Sequence, residues 1–123
     1  MNDKEIEQQI QAKGLTAPRV TPGDIEANIA SEHYFTGSEG VGHQGEHVKY
    51  ASHWEVPRSI EALELLTFCV LVLRNGFTVT GESACASPEN FDAEIGRKIA
   101  RQNAVAKIWP LMGYELRSRL SNG

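Results

Sequence analysis

The chain has 123 residues, 41% of them hydrophobic, with 16 acidic and 12 basic side chains and a formal net charge of −4. At this length it holds one domain with a modest core, to which oligomerisation would add buried surface. A surface of this sign excludes sequence-independent binding of double-stranded DNA or RNA, because phosphate neutralisation needs a basic face.

The charge is uneven along the chain. Residues 1–40 hold 7 acids and 3 bases, residues 41–73 hold 4 and 2, and residues 74–123 hold 5 and 7, so a small anion is drawn to the C-terminal part. The opening MNDKEIEQQI has no apolar signal region and no run reaches membrane-span length, which sets a cytosolic expectation. Cys69 and Cys85 lie beside apolar neighbours and read as small buried thiols, too few for a disulfide framework.

In chain order, Asp3 to Lys13 carries Ile6 and Ile10 four apart and ends at Gly14, a short helix with a thin apolar stripe. Residues 18–22 form a linker. Thr21 then caps a second helix, with Pro22 at its first position, Asp24 in its first turn, and Ile25 and Ile29 as its stripe. Residues 1–32 therefore read as accessory helices that dock onto a larger unit.

Residues 33–58 read as a flexible loop, rich in glycine and without a clean apolar period, with one short strand expected at His47 to Tyr50. All four histidines fall here. His43-x3-His47 has the spacing for a metal on one helical turn, with His53, Glu46 or His33 completing the shell. Gly42 and Gly45 oppose a helix at that place, and a solvated loop with no metal is the plainer reading.

Residues 59–123 form the core of the single domain. Leu65 to Leu73 is an almost unbroken apolar run, followed by Asn75-Gly76 and the β-rich Phe77-Thr78-Val79-Thr80, which together predict an antiparallel hairpin. The small residues of GESACASP let the backbone approach another group closely. A long helix follows, capped by Ser87 or Asn90 and broken by Pro110.

Projected at 100° per residue, Phe91, Ile95, Ile99, Val105, Ala106 and Trp109 share the face expected to cover the hairpin. Gly96, Ala100 and Ala104 form a flank that suits a subunit contact or a shallow pocket, where Asn103 or Asn90 reads a base edge and Lys107 meets a phosphate. Arg97 and Arg101 line the next strip. The fold class is thus α+β: short N-terminal helices, and an antiparallel hairpin or small sheet packed on a long C-terminal helix.

Catalytic patterns are missing: there is no GxSxG, Walker loop or HExxH, and Glu82 near Ser83 and Cys85 is more simply a charge at a strand end. A binding protein that needs no cofactor is the expectation. Two other readings stay open, a structural or regulatory protein that engages another protein through its acidic front helices, and a small metal-dependent hydrolase using His43, His47 and His53.

The segment NGFTVTGESACASPENFDAEIGRKIARQNAVAKIWPLMGYEL, together with His33-Tyr34-Phe35-Thr36 and Leu65 to Leu71, resembles the small phage proteins of the Gp-forty-nine-like family over roughly residues 25–117. Within it the ending is similar to the first type of Thoeris anti-defence protein. That resemblance implies a sponge that sequesters cyclic ADP-ribose isomers, and CBASS cyclic oligonucleotides, without cleaving them. It further implies a homo-oligomer, dimers building a hexamer, with ligands between subunits, in the cytoplasm of the infected host. Carried over residue by residue, it implies polar and basic ligand contacts at Asn90 and Lys107, and a phosphate contact from Arg58. Thr80 stands where the family can place a stacking aromatic, for which Phe77 or Trp109 would substitute.

Overall fold

The computed structural model describes residues 2–42 and 47–122. Helix α1 (Asp3–Ala12) and helix α2 (Pro22–Ala27) precede strand β1 (Ile29–Thr36), helix α3 (Gly37–Val41) and helix α4 (Val56–Glu64). Strand β2 (Leu66–Leu73), strand β3 (Thr78–Ala84) and the 30-residue helix α5 (Ala93–Asn122) complete the chain. The α+β class holds: one antiparallel sheet in the order β1-β2-β3 lies against α5.

The hairpin forms where the sequence predicts it. Gly76 takes φ +89°, its N–H donates to the Leu73 carbonyl, and the Asn75 side chain accepts the Phe77 N–H at 2.9 Å. β2 then alternates strictly, with Thr67, Cys69, Leu71 and Leu73 buried and Leu66, Phe68, Val70 and Val72 half-buried. The buried set faces α5. The other face is covered at one end by α3 and α4, where Gly37 touches Leu63 and Leu66, and Phe35 stacks on Phe68.

The face of α5 that packs is not the one with the large side chains. Gly96, Ala100, Ala104 and Ile108 are its buried residues, whereas Ile95 and Ile99 are 56% and 41% exposed. The reason lies in β3. A Cβ on Gly81 would stand 2.2 Å from the Ala100 carbonyl oxygen and 2.3 Å from the Ala104 nitrogen, so helix and strand touch backbone to backbone and only small residues fit between them. Gly96 likewise sits over Thr67. The small-residue flank read as a subunit contact or pocket is the intramolecular seam.

Four further expectations change. α5 runs through Pro110 to Asn122, because Pro110 and Ala106 are both exposed and the carbonyl that loses its donor meets water. It starts later than expected: residues 88–90 form a separate 3₁₀ turn, and Asp92 caps α5 by accepting the Ile95 N–H at 3.0 Å. Residues 33–41, read as loop, are strand and helix, and no strand forms at 47–50. β1 is an edge strand with an exposed middle, so polar Glu32 and His33 interrupt the alternation that marks a half-buried strand.

α2 is capped as expected, Thr21 and Asp24 forming a reciprocal capping box, and Ile25 is buried in the core. Ile29 belongs to β1, not to the helical stripe. α1 buries no residue and is held by polar contacts: Glu7 pairs with Arg19, and the Trp109 indole donates to Asp3 at 3.1 Å.

Candidate functional site

Taken one by one, the candidate binding residues occupy several regions of a single chain. Asn90 ends the 3₁₀ turn between β3 and α5 and lines an open groove of about 280 Å³. Ala84 and Cys85 form one side of that groove and Ile95 and Ile99 the other. Its amide has no partner among the described residues, so it is available to a ligand. The Cys85 thiol beside it donates to the Ser87 carbonyl at 3.2 Å, which ties the strand exit to the turn.

Asn103 and Lys107 lie one turn apart on α5. The Asn103 amide nitrogen donates to the Glu82 carbonyl at 2.8 Å, closing part of the free edge of β3, so its oxygen and one N–H are what it has left for a base edge. Lys107 is exposed and unpaired among the described residues.

Arg101 is fully engaged. Its Nε donates to Glu32 at 2.7 Å, and Nη1 and Nη2 donate to the two oxygens of Glu26 at 3.1 and 2.8 Å. This cation therefore braces α2 and β1 against α5. Hydrogen bonding from Arg101, then from Tyr34, holds the Glu32 carboxyl below its usual range. Burial and the bond to Glu32 push the Tyr34 hydroxyl well up. Arg97, on the same side of α5, lines a small cleft with Tyr34, Phe35 and Phe91 and has no acidic partner among the described residues.

Thr80 belongs to the set of β3 side chains turned away from α5, on the sheet face opposite Gly81. Phe77, 57% exposed, follows the hairpin turn. Arg58 stands on α4, its guanidinium 82% exposed and only 3.9 Å from Glu55. Trp109, named as a stacking substitute, is committed to α1. One chain thus joins Asn90 to the isoleucine flank and Asn103 to Lys107, but does not bring Thr80, Phe77, Arg58 or Arg97 to that place.

Glu82 and Ser83 point to opposite faces of β3, so they form no acid–nucleophile pair. Among the described residues no group of three His, Cys, Asp or Glu could hold a metal. His43 and Glu46 lie outside the described residues, His53 packs on Trp54, and His33 is hydrogen-bonded to Ser31. No helix of the described chain is long and apolar enough to cross a membrane. The exposed flank at Ile95 and Ile99 is what the sequence reading missed; the glycine in β3 opposite a Gly-x3-Ala-x3-Ala series was its signal.

No curated protein and no solved structure gives a match to the chain. A family model does match, over residues 20–120, leaving out α1 and taking in the whole sheet with α2 to α4 and nearly all of α5. On a match of that extent, the chain belongs to the Phage protein (N4 Gp49/phage Sf6 gene 66) family.

Proposed function

We propose that this phage protein binds and sequesters cyclic nucleotide immune signals of the infected bacterium without cleaving them. The signals are the cyclic ADP-ribose isomers of Thoeris and the cyclic oligonucleotides of CBASS, and the setting is the host cytoplasm. The observation that carries the reading is the groove at the β3–α5 junction. There an unpartnered amide, Asn90, sits beside the exposed apolar pair Ile95 and Ile99. An amide can read a base edge, and an apolar wall can seat a base or a second copy of the chain.

The scatter of the other candidates over one chain supports a site completed between copies. In a dimer-built oligomer, Lys107 and Arg58 of different subunits can meet the phosphates that a lone groove leaves open. Capture needs only binding energy. Donors that surround the phosphates equally well throughout, without a positioned base or nucleophile, give affinity and no rate.

Calorimetry of the purified chain against cyclic ADP-ribose isomers and cyclic di- and trinucleotides tests this, followed by heat release and mass spectrometry of the ligand. Binding with the intact ligand recovered is the expected result. Cleaved ligand makes the protein a hydrolase, and no heat with any of these ligands removes the reading.

A further inference from the structure

At the far end of β3 from the Asn90 groove, a cleft of about 440 Å³ opens between the hairpin turn, α2 and the last turns of α5. Seven residues of strand separate the two places, roughly 20 Å at about 3.3 Å per residue. The cleft is a separate feature, and it gathers several hydrogen-bond donors with capacity to spare.

Its chemistry follows from what each side chain has already bonded. The Asn28 oxygen accepts the Arg74 N–H at 3.2 Å, and the Asn75 oxygen accepts the Phe77 N–H at 2.9 Å. A backbone donor can only face the oxygen of an amide, so both groups are oriented with their NH₂ ends left over. Arg74 donates Nε to the Ala27 carbonyl at 3.0 Å, which fixes the guanidinium and leaves both terminal nitrogens without a partner among the described residues. Arg119 is held only by a 3.6 Å pairing with Glu115 and is 69% exposed.

The acids at this place are occupied in other ways. Asp24 caps α2, accepting the Thr21 N–H at 3.0 Å, and Glu115 faces Arg119. Arg19, on the rim, is closed by Glu7. The Arg74 and Arg119 guanidiniums and the Asn28 and Asn75 NH₂ groups thus keep donor capacity in one cleft, which is what an oxyanion requires. The opposite wall, Val20, Met112 and Leu116, is apolar.

We propose that this cleft is a second binding site, for a phosphate ester of about mononucleotide size. The phosphate lies on Arg74 and the amides of Asn28 and Asn75, the unpaired Nη1 of Arg119 joins it while Nη2 stays with Glu115, and the base rests on Val20, Met112 and Leu116. Nothing in this assignment depends on the Asn90 groove or on cyclic signals.

The test is calorimetric titration of the full chain with AMP, adenosine and inorganic phosphate. AMP binds one per chain, phosphate competes with it, and adenosine binds at least about tenfold more weakly, the loss expected when a charge-assisted bond is removed. Arg74→Ala and Arg119→Ala each weaken AMP by about tenfold or more, while Lys98→Ala, an exposed change that lines neither groove, leaves it unchanged. Arg119→Ala alters an exposed side chain on the surface of α5, so it reports even if Arg74→Ala unfolds the hairpin end. Adenosine binding as tightly as AMP, phosphate failing to compete, or AMP affinity unmoved in Arg119→Ala overturns the assignment. Failure of the cyclic ligands to bind, with AMP still captured here, would remove the proposed function and leave this site standing.

Discussion

Gly81→Ala is the sharpest perturbation the fold offers. The added methyl would lie 2.2 Å from the Ala100 oxygen and 2.3 Å from the Ala104 nitrogen, against 3.4 Å or more in ordinary contact, a shortfall of about 1.2 Å. Neither atom belongs to a side chain that can rotate away, so α5 must lift off β3 as a body. A gap of this order forfeits roughly a quarter to a half of each lost contact's attraction. The residues that lose it are Ala100, Ala104 and Ile108, the fully buried spine of the helix.

Overpacking of a rigid core costs about 1–3 kcal/mol, and a backbone obstacle places this variant at about 3 kcal/mol or beyond. For a chain of this length that is a fall in Tm of roughly 12 °C. Thermal and urea melts followed by circular dichroism measure it, with Thr80→Ala on the other face as a control within about 0.5 kcal/mol of the parent. A Tm within about 2 °C of the parent would refute the packing. Rescue by Ala100→Gly would do so too, because the clash is with main chain and trimming that methyl cannot relieve it.

Arg101→Ala leaves Glu26 and Glu32 facing each other without their cation and lowers stability by about 1–2 kcal/mol after allowance for solvent, and Arg101→Lys recovers little because an ammonium cannot hold two carboxylates in one plane; urea melts decide it. The Glu7 carboxyl is held down to about 2 by its hydrogen bond from Arg19. Its folded value lies below the unfolded one, so the α1 latch is at full strength above about pH 4.5 and is lost as pH falls toward 2. Trp109 emission should therefore stay constant between pH 7 and 5 and shift at lower pH, and in Glu7→Gln it should be shifted already at pH 7. For the proposed capture, Asn90→Ala or Lys107→Glu abolishes binding of at least one class of cyclic ligand while the melting curve is kept, and unchanged affinity for every ligand sinks that assignment.

What the sequence made legible was local. Asn75-Gly76 specifies a hairpin because it needs only its own backbone, and the Thr21 cap with Pro22 behind it is equally self-contained. The orientation of α5 was not legible in that way. Helical projection ranks faces by hydrophobicity, and Ile95, Ile99 and Trp109 outrank a row of glycine and alanine. Yet the strand opposite presents a glycine, close approach wins, and the bulky residues turn outward. β1 escaped notice because an edge strand is defined by its partner, not by its own alternation. The same limit governs the site: Arg101 reads as a free cation until Glu26 and Glu32, far off in sequence, arrive beside it.

β1 enters the sheet from outside the hairpin–helix unit, pairing Phe35 with Phe68 and His33 with Val70 across more than thirty residues of intervening chain. The β2–β3 turn closes a short loop, and a short connection through the 3₁₀ turn joins β3 to α5, so these three elements can assemble at little entropic cost. The edge strand must close a far longer one. Assembly order follows from that asymmetry: β2, β3 and α5 condense first, and β1 zips on afterwards, with Arg101 clasping it last. Amide exchange read residue by residue should run fastest in β1 and slowest around Cys69 and Leu71, marking the rim that opens while the centre stays shut.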